Sequence, residues 1–253
     1  MIITMSPAKL MDFESPVKVE KSTKPIWEKD AEYLNGLMKQ FSSDDIREMM
    51  GVNPGIARQV YDYVQSFEMK RTPKRQAALA YNGIAYKGLA AGSFDAQDWD
   101  FAQKHLIFIS GLYGVVRPLD LIKPYRLEAQ IKLANKEGDD LYAYWSDKVT
   151  YYLSKQLTQD DNIWINLSSN EYFKVINKKK LPKDCTIITP VFKEQTDNGY
   201  RMVVVYAKKA RGMMSRFIIK NKLENVEDIK HFDVEGYSFS PNLSKKGEWV
   251  FVR

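Results

Sequence analysis

The chain has 253 residues, 44% hydrophobic and 28% charged, which is enough for a sizeable core, and its net charge of +6 is uneven, −1 over residues 1–100 and +7 over 101–253. No stretch approaches the roughly 18 consecutive apolar residues of a membrane-spanning helix, and residues 1–13 lack a basic leader, an apolar run and a cleavage site, so the expectation is a cytoplasmic protein with no membrane partner. One cysteine, Cys185, and two histidines, His105 and His231, exclude a disulfide framework and make a structural zinc site improbable, so neither a metal nor a cofactor is expected.

There is no tandem repeat, low-complexity block or Gly/Ser-rich linker, so residues 1–253 read as one domain. The chain opens on an apolar strand over 1–5 that runs into Ser6-Pro7-Ala8-Lys9. Apolar residues recurring at three and four predict helices over 26–40, 44–50 and 56–67. A helix over 96–105 precedes a strand over 106–109, which enters Ser110-Gly111-Leu112-Tyr113-Gly114. Residues 117–128, with Pro118 and Pro124, can be neither a regular helix nor a central strand. A helix over 140–156 and a strand over 163–167 follow, the strand leading into Asn166-Leu167-Ser168-Ser169-Asn170-Glu171-Tyr172. Strands over 187–192 and 202–206 are expected next, the second ending in Lys208-Lys209-Ala210-Arg211-Gly212. Strands separated by helices favour an α/β, mixed α+β fold with a central mostly parallel or mixed sheet flanked by helices.

Four of these strands are followed by a polar motif. If they are parallel neighbours, the motifs meet at their carboxyl edge, where open α/β sheets hold ligands. A Ser or Asn after a strand is also the ordinary helix N-cap, and Ser169 is read both ways. Arg117, Tyr125 and Arg126 on a proline-stiffened loop suit phosphate or carboxylate recognition, while pairing with Asp120 and Glu128 to fix the loop itself stands beside that reading. The run 201–222 carries seven Lys or Arg and no acid, which favours an anion-binding surface over a solvated helix face.

Between the helices over 44–50 and 54–67, Gly51-Val52-Asn53 reads as a turn. Gly51 is expected at positive φ, Asn53 as N-cap and Pro54 at the first helical position. The segment 44–67 resembles the helix-hairpin-helix motif, Gly-apolar-Gly-x-x-x-Ala, with Asn53 in place of the second glycine and Ala57 in register. An ordinary corner between two helices is the alternative.

Taken in order, Ser6-Pro-Ala-Lys9, Ser110-Gly-Leu-Tyr-Gly114 with Arg117-Pro-Leu-Asp120 and Pro124-Tyr-Arg126, Asn166 to Tyr172, and Tyr206 to Gly212 resemble the YaaA family of bacterial cytoplasmic proteins associated with the peroxide stress response. The likeness extends to Glu235-Gly236-Tyr237 and Trp249 to Arg253; it departs at Leu10-Met11 and at Asn82-Gly83-Ile84-Ala85, which has no acid at position 84. The resemblance implies a mixed α/β fold with a helix-hairpin-helix element, a basic cleft, DNA binding and restraint of damage from intracellular iron.

The expected partner is therefore duplex or branched DNA, held with weak sequence preference, because the visible features supply backbone contacts and no base-reading helix. The candidate anion-binding residues are Lys9, Gly51, Asn53, Gly55, Arg117, Tyr125, Arg126, Asn166, Asn170, Lys208, Lys209 and Arg211. The competing reading is an enzyme acting on a nucleotide or nucleic acid in a strand-end pocket, with Ser110, Glu171 or Tyr172 near the chemistry and a nucleotide-like small molecule as partner. Binding is favoured over catalysis.

Overall fold

The computed structural model describes residues 1–197 and 199–253. Its strands are β1 (Ile2–Met5), β2 (Arg75–Gln76), β3 (Leu106–Ser110), β4 (Gly114–Val116), β5 (Leu121–Ile122), β6 (Ile163–Leu167), β7 (Thr186–Thr196), β8 (Gly199–Arg201), β9 (Ser238–Phe239) and β10 (Glu248–Val252). The α-helices are α1 (Glu28–Met38), α2 (Ser43–Met50), α3 (Pro54–Ser66), α4 (Ala77–Ala80), α5 (Ile84–Leu89), α6 (Ala96–His105), α7 (Leu141–Thr158), α8 (Asn170–Phe173) and α9 (Val204–Asn221).

The main sheet has the order β4-β3-β1-β6-β7-β10-β9, with β8 paired to the far end of β7, and β2 pairs β5 in a separate ribbon. The five central strands β3, β1, β6, β7 and β10 are parallel, while β4, β8 and β9 are antiparallel edges. The architecture is thus the expected mixed α/β class. Every residue of β1 and β3 is buried, as a parallel sheet covered on both faces requires. From β1 the chain first builds β3 on one side and then crosses to build β6 on the other. Loops leaving the carboxyl ends of these strands diverge there and open a crevice, the switch point where such sheets bind ligands.

Two elements differ from expectation. Residues 202–206 do not form a strand: β8 stops at Arg201 and α9 begins at Val204. The β-branched run occupies the first turn of the helix, where Val204, Val205 and Tyr206 are 61%, 56% and 46% exposed. The decisive pattern lies downstream, where Ala207, Ala210, Met214 and Ile218 form one buried helical face. That face crosses α5 at an unusually close contact. A Cβ on Gly212 would run into the Ala85 carbonyl, and one on Gly88 into the Lys209 carbonyl. The second difference is β7, which extends beyond the expected 187–192. It pairs with β6 over 186–188 and with β10 over 189–193, and it changes its main partner next to Pro190, which has no amide to donate.

The helices otherwise follow their sequence signals. Asp95 and Asp98 close a capping box on α6, and Asp140 caps α7 by accepting from the Ala143 amide at 2.8 Å. Ser42 and Asp45 do the same for α2. The α2–α3 corner turns through Gly51 at φ +60°, and the Asn53 Oδ1 accepts from the Ile56 amide at 2.9 Å. Asn53 itself sits at φ −71°, in the extended conformation of an N-cap.

Candidate functional site

Three of the polar motifs emerge side by side from β1, β3 and β6. Ser6 knits two of them: its Oγ accepts from the Ser169 amide at 2.8 Å and lies 3.2 Å from the Ser169 Oγ. The Tyr86 hydroxyl, from α5, donates to the Ser6 carbonyl at 2.9 Å. The fourth motif arrives on the first turns of α9, carried in by the glycine crossing with α5. The motifs after β1 and β6, the first turns of α9, and residues 82–86 and 125–128 line a cavity of about 470 Å³, within the range of small-molecule sites, while the motif after β3 lies behind it. Its walls include Lys9, Tyr125, Arg126, Glu128, Glu171, Tyr172, Lys208 and Arg211.

The charges in these walls are unevenly matched. The Glu128 carboxylate, 7% exposed, takes the Lys9 ammonium at 3.0 Å and the Arg126 guanidinium at 3.2 Å on the same oxygen. Its other oxygen has no donor, and neither does the buried Oε1 of Glu171. Burial pushes the Glu171 carboxyl above the usual carboxylate range, and the neighbouring Glu128 charge adds to the shift. In the same lining, Arg211 makes no ion pair or side-chain hydrogen bond among the described residues, and burial alone lowers its pKa. Lys208 is exposed beside it, also without an acid partner among the described residues.

Behind the cavity runs a chain of hydroxyls. The Ser110 Oγ accepts from the amides of Leu112 and Tyr113 at 3.2 and 3.1 Å, which occupies its lone pairs and leaves its proton for the Tyr125 hydroxyl at 2.7 Å. The Tyr125 hydroxyl also lies 2.6 Å from that of Tyr81, a hydrogen bond in which either hydroxyl can donate. Burial raises the Tyr125 pKa to about 12 and lifts those of Tyr81, Tyr86 and Tyr172 well above the ordinary phenol value, so all four stay neutral. Ser110 is 1% exposed and fixes its turn and this chain, while Glu171 and Tyr172 reach the cavity wall.

The remaining candidates lie elsewhere. Arg117 pairs with the fully buried Asp120 at 3.1 Å, and Asp120 also accepts from the Arg117 amide at 2.8 Å, an arrangement that fixes the loop itself. The Asn166 Oδ1 accepts from the Ser168 amide at 3.2 Å, and Asn170 is exposed at the start of α8. Lys209 closes on Glu235, which also takes Arg253 at 3.1 Å. Gly51, Asn53 and Gly55 belong to the α2–α3 corner. None of the three lines the cavity; Tyr125 and Arg126 line both it and a small cleft against Met38 of α1 and Tyr63 and Val64 at the far end of α3. The sequence reading missed α5, whose Gly83, Ile84, Ala85 and Tyr86 line the cavity. The pair Gly88 and Gly212 was the available signal.

The structure is a mixed α/β sheet covered on both faces, with a cavity at the carboxyl edge of its central strands whose lining includes two cations, Lys208 and Arg211, without an acid partner among the described residues. The family model for the peroxide stress protein YaaA matches residues 1–243, and the chain belongs to that family. Full-length relatives agree. UPF0246 proteins from Alteromonas mediterranea and Teredinibacter turnerae are each 46% identical over 256 aligned positions, covering all of this chain and 98% and 99% of theirs. One from Saccharophagus degradans is 47% identical over 257 positions, covering all of this chain and 99% of its own.

Proposed function

We propose that this peroxide-stress-family protein binds DNA through phosphate contacts and thereby helps limit damage from intracellular iron. The observation that carries the reading is the cationic lip formed by Lys208 and Arg211, which have no acid partner among the described residues, beside Lys9 and Arg126 on the same cavity. Lysine and arginine without internal partners can exchange counterions for phosphates, and the gain is sequence-independent. The α2–α3 corner supplies a second contact: α3 has no acid in its first turn, and Gly55 leaves an exposed amide at a helix N-terminus. Direct capture of iron would need grouped ligands, and no cluster of three or more His, Cys, Asp or Glu suited to a metal occurs among the described residues. The effect on iron damage is therefore assigned to the DNA-bound protein.

Fluorescence anisotropy with labelled duplex and four-way-junction DNA tests this. Affinity should fall steeply as salt rises and change little when the base sequence is scrambled; a salt-independent affinity rules the reading out. Gly51→Val should strain the left-handed turn by about 1–2 kcal/mol and weaken binding in a protein that still folds. Undiminished binding by that variant would reduce α2–α3 to a plain corner. Anaerobic calorimetry revealing a stoichiometric submicromolar ferrous site would replace the DNA route with sequestration.

A further inference from the structure

We propose that the carboxyl-edge cavity is a binding site for a small phosphorylated molecule that also carries an amino or amide donor, of the nucleoside monophosphate class. The two walls make opposite demands. One presents Arg211 and Lys208, cations lacking an acceptor among the described residues. The other presents Glu128 and Glu171, each with one carboxylate oxygen that no protein group donates to. A buried acceptor without a donor is costly, so the acids gain from a ligand N–H, while Lys208 and Arg211, with no internal partner among the described residues, are free to hold an anion.

A lone inorganic anion would satisfy the cationic wall and be repelled by the acids opposite. A neutral nucleoside would satisfy the acids and leave the cations bare. The two carboxylates also disfavour a continuous phosphate chain inside the cavity, which separates this site from a duplex lying across the lip. A molecule with one phosphate at one end and N–H groups at the other answers both walls. Tyr172 and Tyr86 are buried aromatics in the lining, side chains of the kind that pack against a flat ring, and the Tyr86 hydroxyl is already committed to the Ser6 carbonyl. The volume, about 470 Å³, and the position at the sheet's switch point fit a ligand of this size.

Titration calorimetry of the full chain at low salt with AMP, GMP, CMP, UMP, the matching nucleosides and inorganic phosphate is the test. At least one amino-bearing nucleotide should bind with Kd below about 1 mM and at least about tenfold more tightly than its nucleoside or phosphate. Lys208→Ala, at an exposed position that leaves the fold intact, and Arg211→Ala should each weaken that nucleotide about fivefold or more, with no effect on residual nucleoside binding. Glu171→Gln, which can donate as well as accept, should narrow the preference for CMP over UMP while leaving the phosphate contribution unchanged. The proposal fails if no nucleotide saturates by about 5 mM, if inorganic phosphate binds as tightly as the nucleotides, or if Lys208→Ala and Arg211→Ala bind like the unaltered chain. These outcomes are read without DNA, so they stand or fall separately from the duplex measurements.

Discussion

The two ends of α9 carry comparable charge and use it in opposite ways. At the N-terminal end Lys208 and Arg211 face the cavity with no acid partner among the described residues. At the C-terminal end Lys220 and Lys222 both close on Asp98, the Lys220 Nζ at 2.6 Å, and Arg216, one turn before them, donates to the carbonyls of Leu89 and Ala90. Asp98 lies 122 residues before Lys220, so the last two cations of a run without acids in the sequence are answered by an acid from α6. A basic stretch therefore predicts a field only where folding leaves it unanswered. One end of the helix is a structural clamp, and the other is available to a ligand.

The strongest way to break this division is to remove the crossing that holds both ends in place. Gly212→Val puts side-chain atoms into the Ala85 carbonyl on α5, and no flexible neighbour can yield. It should cost about 3 kcal/mol or more and leave little folded protein at 37 °C, as read by circular dichroism and yield. Gly212→Ala should be milder but still destabilising. A Gly212→Val chain with an unchanged melting curve would mean that the α5–α9 contact does not set the cavity.

The clamp end is tested by Asp98→Asn. Burial alone would raise the Asp98 pKa, but hydrogen bonds from Lys220 and Lys222 and the Asp95 amide override it and hold the carboxyl at about 2. A folded pKa below the unfolded value, about 3.9, means that the ionised form stabilises the fold. That stabilisation is fully present above about pH 5 and is lost as pH falls through 2. Asp98→Asn should lower the thermal midpoint by roughly 4–8 °C at neutral pH, and the gap to the unaltered chain should close between pH 5 and pH 2. A gap that stayed constant across that range would assign the loss to packing and not to charge.

Charge reversal at the open end should act on binding and spare stability. Lys208→Glu with Arg211→Glu should weaken duplex DNA at least about tenfold and flatten the salt dependence by about one unit of slope per lost contact. Lys220→Gln with Lys222→Gln, which alters the clamp, should change duplex affinity by less than about twofold while lowering the melting temperature. If both pairs weaken DNA equally, the two ends of α9 are not functionally distinct.

Much of this arrangement is legible from residues alone, for identifiable reasons. The strands β1, β3 and β6 are short, mostly apolar runs, which a doubly covered sheet buries, and their polar sequels leave in the same direction because the strands are parallel. The helix caps Asn53, Asp95 and Asp140 follow from side chains that satisfy backbone amides locally. What escapes a linear reading is decided at long range. Residues 202–206 have strand propensity, yet the turn is settled by Ala207, Ala210 and Met214 packing further along and by Gly212 meeting α5. The fate of each lysine was equally hidden, since Glu235 and Asp98 lie far from their partners in the chain. The opposed acids and cations of the cavity come from four separate segments, so no single motif announces them.

The smallest expected effect concerns Lys222, where backbone and side chain pull in opposite directions. This residue ends α9 at φ +50°, a left-handed conformation that costs a side-chain-bearing residue about 1 kcal/mol relative to glycine. Its ammonium, about one-third exposed, repays this through Asp98 by an amount typical of a partly screened ion pair, about 0.5–1 kcal/mol. Lys222→Gly removes both terms at once, so the melting temperature in dilute buffer should move by no more than about 2 °C in either direction. The balance can then be tipped without further mutation. Salt screens the ion pair and leaves the backbone term untouched, so at about 1 M NaCl the glycine variant should become the more stable of the two. Below pH 3, where protonation begins to remove the Asp98 charge, the same reversal should appear in low salt. A Lys222→Gly chain that is clearly less stable under all three conditions would show that Lys222 holds α9 by something other than its charge.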